Sequence, residues 1–194
     1  MTVSDDQTRA SLLLRVRDSS DEEAWTEFYE LYAPLLYGYA RAQGLNHADA
    51  EEIRSQCCEA LVRQIPTFEY DRKKGGFKGW LRTMVARRVI DRLRKRREQQ
   101  LESSDLRKLP NPEMPVDEVW EQQWREQHLR FCVQSLRGQV TEDTWTAFRL
   151  LVEEGLPVAE VCQRLGATAN QVYKARARML TLVREKMLYL ETEE

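Results

Sequence analysis

The sequence predicts an all-α protein: two small helical domains, over residues 8–98 and 117–190, joined by a flexible linker at 99–116. Three observations carry this. Apolar residues recur at spacings of three and four, and no run alternates with period two over a useful length. Glycine and proline, which punctuate loops, number only eight and six in 194 residues. Three of the prolines, Pro110, Pro112 and Pro115, fall in QQLESSDLRKLPNPEMP, which lacks helical periodicity and has too few apolar residues to offset the entropy of ordering.

The elements follow in order. Ser20 and Glu23 have capping-box spacing and open a helix that buries Trp25, Phe28, Leu31 and Tyr32. Asn46 caps the next, from about His47 to Gln64, which stops at Pro66. After the loop YDRKKGG comes a helix from Phe77 to Arg97, about five turns long. It carries two apolar stripes, Phe77, Trp80, Leu81, Met84 and Val85 on one side and Ala86, Val89, Ile90 and Leu93 on nearly the opposite side, so neighbours are expected to grip it twice.

Beyond the linker, a helix from about Asp117 contains Val119, Trp120, Trp124, Leu129 and Val133, breaks at Gly138 and resumes after a Thr141 cap. Pro157 suits the first turn of a short helix with Val158, Val161, Cys162 and Leu165 inside. Gly166 follows where the chain turns. Thr168 and Gln171, again at capping-box spacing, open a last helix that packs Val172 and Ala175 inward and continues through Met179, Leu182, Val183, Met187 and Leu190.

Composition excludes several functions. No uncharged stretch approaches the roughly 18 to 20 residues that span a bilayer, and the N-terminus lacks the cationic start and apolar core of a signal peptide, so a cytoplasmic location is expected without membrane insertion. Cys57, Cys58, Cys132 and Cys162 form no CxxC pair and give no metal spacing with His47 or His128, which reads as buried, reduced thiols. No paired carboxylates, phosphate loop or activated nucleophile appears in suitable context, so neither enzyme chemistry nor a metal or other cofactor is expected.

Charge is informative through its distribution. The net value is -2, yet between Arg72 and Arg97 twelve Lys or Arg residues meet one acid, Asp91. Such an asymmetry presents one face to a polyanion and repels it elsewhere. Tyr70, Phe77 and Trp80 are interleaved with the cations. Cations that neutralise phosphates beside aromatics that stack on unpaired bases are the chemistry of single-strand capture. The Pro157 to Met179 stretch is a helix-turn-helix pattern, with Asn170, Gln171, Tyr173, Lys174, Arg176 and Arg178 outside its second helix, the groups that read base edges and phosphates in a major groove.

These two signals, in this order and spacing, resemble the extracytoplasmic-function (ECF, group 4) sigma factors of the sigma-70 family, from about Thr8 to Leu188. The resemblance implies a region 2 over residues 8–98, a region 4 over 117–190, and nothing like region 3 between them. It implies polymerase docking through the DAEEI helix, at Asp49, Glu51, Glu52, Ile53 and Gln56. It further implies −10 recognition and melting by Tyr70, Arg72, Lys73, Lys74, Phe77, Lys78, Trp80, Arg82, Arg87, Arg88, Arg92 and Lys95, with the YDRKKGG loop capturing a flipped base. The −35 duplex would be read by Thr168, Asn170, Gln171, Tyr173, Lys174, Arg176 and Arg178. The partners so implied are core RNA polymerase, through its β′ clamp helices and β flap, and promoter DNA, with an anti-sigma factor left open.

The chain departs from the family pattern at Ser55-Gln56, where relatives usually carry Gln-Glu or Gln-Asp, at Cys57 and Cys58, where bulkier apolar residues are common, and at Arg87, where Asn is frequent. Ser55-Gln56 raises a rival reading, a sigma-like DNA-binding regulator that does not engage polymerase.

Overall fold

A computed structural model describes residues 10–68, 76–102 and 116–191. Among them are eight α-helices, two short 3₁₀ turns and no strand. The helices are α1 (Ala10–Arg15), α2 (Glu22–Ala42), α3 (His47–Gln64), α4 (Gly76–Glu102), α5 (Val116–Ser135), α6 (Glu142–Val152), α7 (Val158–Leu165) and α8 (Ala169–Glu191). The chain forms two compact units, one running to Gln127 and the other over His128–Thr192.

In the first unit α2 supplies the deepest apolar face. Phe28, Leu31, Leu35, Leu36 and Tyr39 are all at most 2% exposed, Tyr32 is 9% exposed, and Trp25 is only half-buried. Facing them are Ile53, Cys57 and Leu61 from α3 and Phe77, Leu81, Val85 and Val89 from α4, all buried. Each large aliphatic or aromatic side chain so removed from water contributes about 1.5–3 kcal/mol. Pro34 lies inside α2 on its exposed side, where the backbone carbonyl it leaves unbonded can meet water.

The caps show how local chemistry sets the helix starts. Asn46 accepts from the Asp49 N–H at 2.8 Å and opens α3 as its sequence predicts. At α2 the cap is Asp21 rather than Ser20. Asp18 captures both the Ser20 N–H (2.9 Å) and its hydroxyl (2.6 Å), which leaves Asp21 to accept from the Ala24 N–H at 2.9 Å. Arg15 grips the Asp21 carboxylate with two parallel bonds of 2.8 and 2.9 Å and, with the Ala24 N–H, holds its pKa below the ordinary value.

The sequence starts the second domain at 117, whereas the second unit begins eleven residues later, at His128 inside α5. The cause is aromatic packing. Trp120 (1% exposed) meets Tyr39 with ring centroids 5.4 Å apart, and Trp124 (5%) meets Tyr32 at 5.8 Å. Gly38 of α2 makes room for this contact, because a Cβ there would lie 2.4 Å from the Gln123 side-chain oxygen.

The second apolar stripe of α4 is not gripped along its length. Val89 is 2% exposed and Ala86 and Leu93 are half-buried, but Ile90 is 57% exposed and is covered by none of the described residues. The packed neighbours α2 and α3 take the face of Leu81 and Val85, and Val89 lies at its margin.

The second unit has two adjoining clusters. Leu136, Trp145, Phe148, Met179 and Val183 form one; Ala147, Leu150, Val161 and Val172 form the other, ringed by Val158, Cys162, Leu165 and Ala175. Thr141 caps α6 by accepting from the Thr144 N–H. Pro157 sits one position outside α7, in extended conformation, so the helix starts at Val158 rather than at the proline. Gly166 ends α7 with φ at 61°, a left-handed conformation that costs glycine least, and the Ala167 N–H closes the turn on the Cys162 carbonyl at 3.0 Å.

Candidate nucleic-acid interface

Helical geometry sorts the cations of α4 into sets. Arg88, Arg92 and Arg96 stand four apart and continue the row begun by Leu81 and Val85, so they rise along the packed side of the helix. Their partners agree with that position. The Arg88 guanidinium donates to the Met84 carbonyl at 3.0 Å. Arg92 donates through Nε (2.8 Å) and Nη2 to one carboxylate oxygen of Asp49, and Arg96 Nη1 lies 3.7 Å from the other. Asp49 itself is 5% exposed. It heads the inward row of α3 that continues through Ile53 and Cys57.

A second set, Lys78 and Arg82, faces α5. Lys78 Nζ donates to Glu121 at 3.1 Å and lies 5.2 Å from the centre of the Trp124 ring, and Arg82 pairs with Asp117. Arg94 is exposed and held loosely by Asp91 (3.4 Å) and Glu98 (3.9 Å), its neighbours about one helical turn before and after. Arg87, Lys95 and Arg97 project into solvent. Tyr70, Arg72, Lys73 and Lys74 lie outside the described residues.

The aromatic candidates separate as well. Phe77 is 5% exposed, within 6 Å, centroid to centroid, of Phe28 (5.8 Å), Tyr32 (5.1 Å), Phe68 (5.9 Å) and Trp80 (5.7 Å). It is a core residue with no face to offer a base, which corrects its place among the strand contacts. Trp80 is half-buried, backed by Phe68 at 4.7 Å, and is the aromatic of α4 with surface left over.

The docking candidates on α3 divide in the same way. Asp49 and Ile53 (2% exposed) point into the unit and cannot touch a partner surface, a correction to their expected role. Glu51 is half-buried and paired with Arg54 at 2.5 Å. Glu52 and Gln56 are exposed and joined by a 2.7 Å hydrogen bond, and with Ser55 and Glu59 they make the outward ridge. Cys57 and Cys58 are free and largely inward. Burial pushes the Cys57 thiol up to about 12, with nearby Arg88 pulling the other way.

In the second unit all seven candidates are exposed. Val172 (1%) and Met179 (0%) fix the inner side of α8, which turns Asn170, Tyr173, Lys174 and Ala177 outward, with Gln171 and Arg178 on one flank and Arg176 on the other. Thr168 and Gln171 form the predicted reciprocal cap. The Gln171 Oε1 accepts from the Thr168 N–H (2.8 Å) and hydroxyl (2.9 Å), and the Gln171 N–H donates to the Thr168 oxygen at 3.3 Å. Gln171 thus has one side-chain atom committed to the helix and its amide N–H groups left for a ligand.

The sequence reading missed the Asp49 pairing, although a signal existed: an acid three residues after a cap, on the row of Ile53 and Cys57, and arginines four apart on the row of Leu81 and Val85.

A helical unit with one strongly cationic helix, followed by a helix with exposed amide and cationic side chains, is an arrangement suited to a polyanion. Comparisons with known proteins carry this further. Residues 28–99 match the family model for sigma-70 region 2. The chain is 28% identical over 173 residues to the ECF RNA polymerase sigma factor RpoE of Cereibacter sphaeroides, covering 85% of this chain and 93% of that one. It is 30% identical over 166 residues to the ECF RNA polymerase sigma factor SigK of Mycobacterium ulcerans, covering 86% of each. The chain belongs to the ECF sigma factors of the sigma-70 family.

Proposed function

We propose that this chain is a promoter-specificity subunit of group 4 that works in the cytoplasm without catalytic chemistry of its own. Region 2, over residues 8–98, binds core polymerase at the β′ clamp helices through the outward ridge of Glu52, Ser55, Gln56 and Glu59, and holds the unpaired −10 strand on α4. Region 4, over 117–190, binds the duplex −35 element through α8 and engages the β flap, and the linker at 99–116 runs between them. Two weak DNA sites on one chain gain avidity only when both elements are correctly spaced, so spacing is part of specificity.

The observation that carries the proposal is the solvent-facing set Arg87, Lys95 and Arg97 on a helix whose match is to sigma-70 region 2. No described helix is long and apolar enough to cross a membrane, in keeping with a chain that acts at DNA. The test is co-purification with core polymerase. The chain should form a stoichiometric complex that Gln56→Lys together with Glu52→Lys abolishes while helicity is kept. Duplex binding without any polymerase complex would instead favour the regulator that Ser55-Gln56 raises.

A further inference from the structure

The pairing between buried Asp49 and part-exposed Arg92 joins the helix that carries the docking ridge to the helix that carries the cations. We infer that Asp49 is the positioning residue of the strand-binding face: by pinning the guanidinium groups of Arg92 and Arg96 against α3, it withholds them from phosphates and leaves that role to the exposed cations of α4, Arg87 among them. The inference rests on the strand-binding reading above.

The geometry supports it in three ways. First, the Arg92 bonds join α4 to the head of the inward row of α3, Asp49, Ile53 and Cys57, 43 positions earlier in the chain. Second, the Asp49 side chain is 7% exposed whereas that of Arg92 is 40% exposed. Swinging Arg92 out to a phosphate would leave a buried carboxylate short of its main partner, a larger loss than one solvated phosphate contact returns. Third, Arg92 commits both Nε and Nη2 to a single oxygen, and Arg96 approaches the other, so both carboxylate oxygens are engaged. The hydrogen bond to Asp49 also holds the Arg92 guanidinium above its ordinary pKa. The sequence counts Arg92 as a strand contact by its charge, and the structure ties it to the docking helix, so the setting of α4 against α3 is mechanically shared by the two functions.

The test compares the salt dependence of binding by the full chain to a fluorescein-labelled 12-nucleotide single strand, read by anisotropy. Loss of one phosphate contact should make the slope of log K against log salt shallower by about 0.7. Arg87→Gln should show that loss, Arg92→Gln should leave the slope unchanged, and Asp49→Asn should steepen it by about 0.7 for each arginine released. A slope for Arg92→Gln as shallow as that for Arg87→Gln would overturn the inference, and so would an unaltered slope for Asp49→Asn. If Asp49→Asn does not fold, Arg96→Gln replaces it, with an unchanged slope expected and a shallower one contradictory. Thermal melts of Asp49→Asn, Arg92→Gln and the double variant test the tether separately. The double should melt no lower than the worse single, and additive losses would refute the pairing. A wild-type chain whose binding ignores salt would sink the strand-binding reading and the withholding role together, while non-additive melts would still establish the tether.

Discussion

Replacing Trp120 with Ala tests why the first half of α5 belongs to the unit that ends at Gln127. The indole is 1% exposed and lies 5.4 Å from the Tyr39 ring and 5.5 Å from that of Trp124. Removing about 200 Å² of aromatic surface from water at about 25 cal/mol per Å² is worth about 5 kcal/mol. Against this, the buried indole N–H finds no hydrogen-bond partner among the described residues, a penalty of about 1–2 kcal/mol that the substitution relieves. The net expected loss is about 3–4 kcal/mol, within the span of measured large-to-small core changes. Trp120→Phe keeps an aromatic ring and sheds the unpaired N–H, so it should fall within about 1 kcal/mol of wild type. Urea unfolding followed by helical circular dichroism measures both. A loss below about 1 kcal/mol for the alanine variant, or a phenylalanine variant no better than it, would refute the reasoning that this helix is anchored by its tryptophans.

Other outcomes follow from single contacts. Thr168→Ala should destabilise α8 by about 1 kcal/mol through loss of the reciprocal cap, whereas Gln171→Glu should keep the cap and stability but weaken duplex −35 binding, measured by melting and anisotropy side by side. Lys174→Ala, on the outward face of α8, should weaken duplex binding and make its salt slope shallower by about 0.9 without changing the melting temperature. Cys57, whose folded pKa is raised from 9.0 to about 12, should resist alkylation at pH 8 until the protein is unfolded. The same shift gives a sign for stability. The buried neutral thiol contributes fully below its unfolded pKa, and that contribution is lost as pH rises from about 9 towards 12, so Cys57→Ser should change the shape of the alkaline melting profile.

The sequence reveals best what neighbouring residues decide among themselves. The Asn46 cap, the Thr168–Gln171 box and the glycine that ends α7 depend on side chains within a few residues, and each is where its pattern puts it. Where two local signals compete, as with Ser20 and Asp21, Asp18 takes up Ser20 and an ion pair from Arg15, six residues before the cap, holds Asp21 in place, and no capping rule contains either. Faces are legible where one row is plainly apolar, as on α7 and α8. They are not where a helix carries two rows, as with Ile90, because only the placement of α2 and α3 decides which row is covered. The site is harder still. Charge marked α4 as the cationic element, but charge alone cannot separate an arginine that meets solvent from one that meets a buried carboxylate 43 positions earlier. Motif and chemistry alone make contacts of Asp49, Ile53 and Phe77, and tertiary packing takes all three inside.

The role proposed for this chain is to direct polymerase to promoters and to open them. Run-off transcription with purified core polymerase on a genomic fragment library measures it most directly. Discrete transcripts are expected that depend on the chain, start downstream of two elements at fixed spacing, and show permanganate-reactive thymines at the −10 element. Binding to the same fragments with no chain-dependent transcript and no reactive thymines would contradict it.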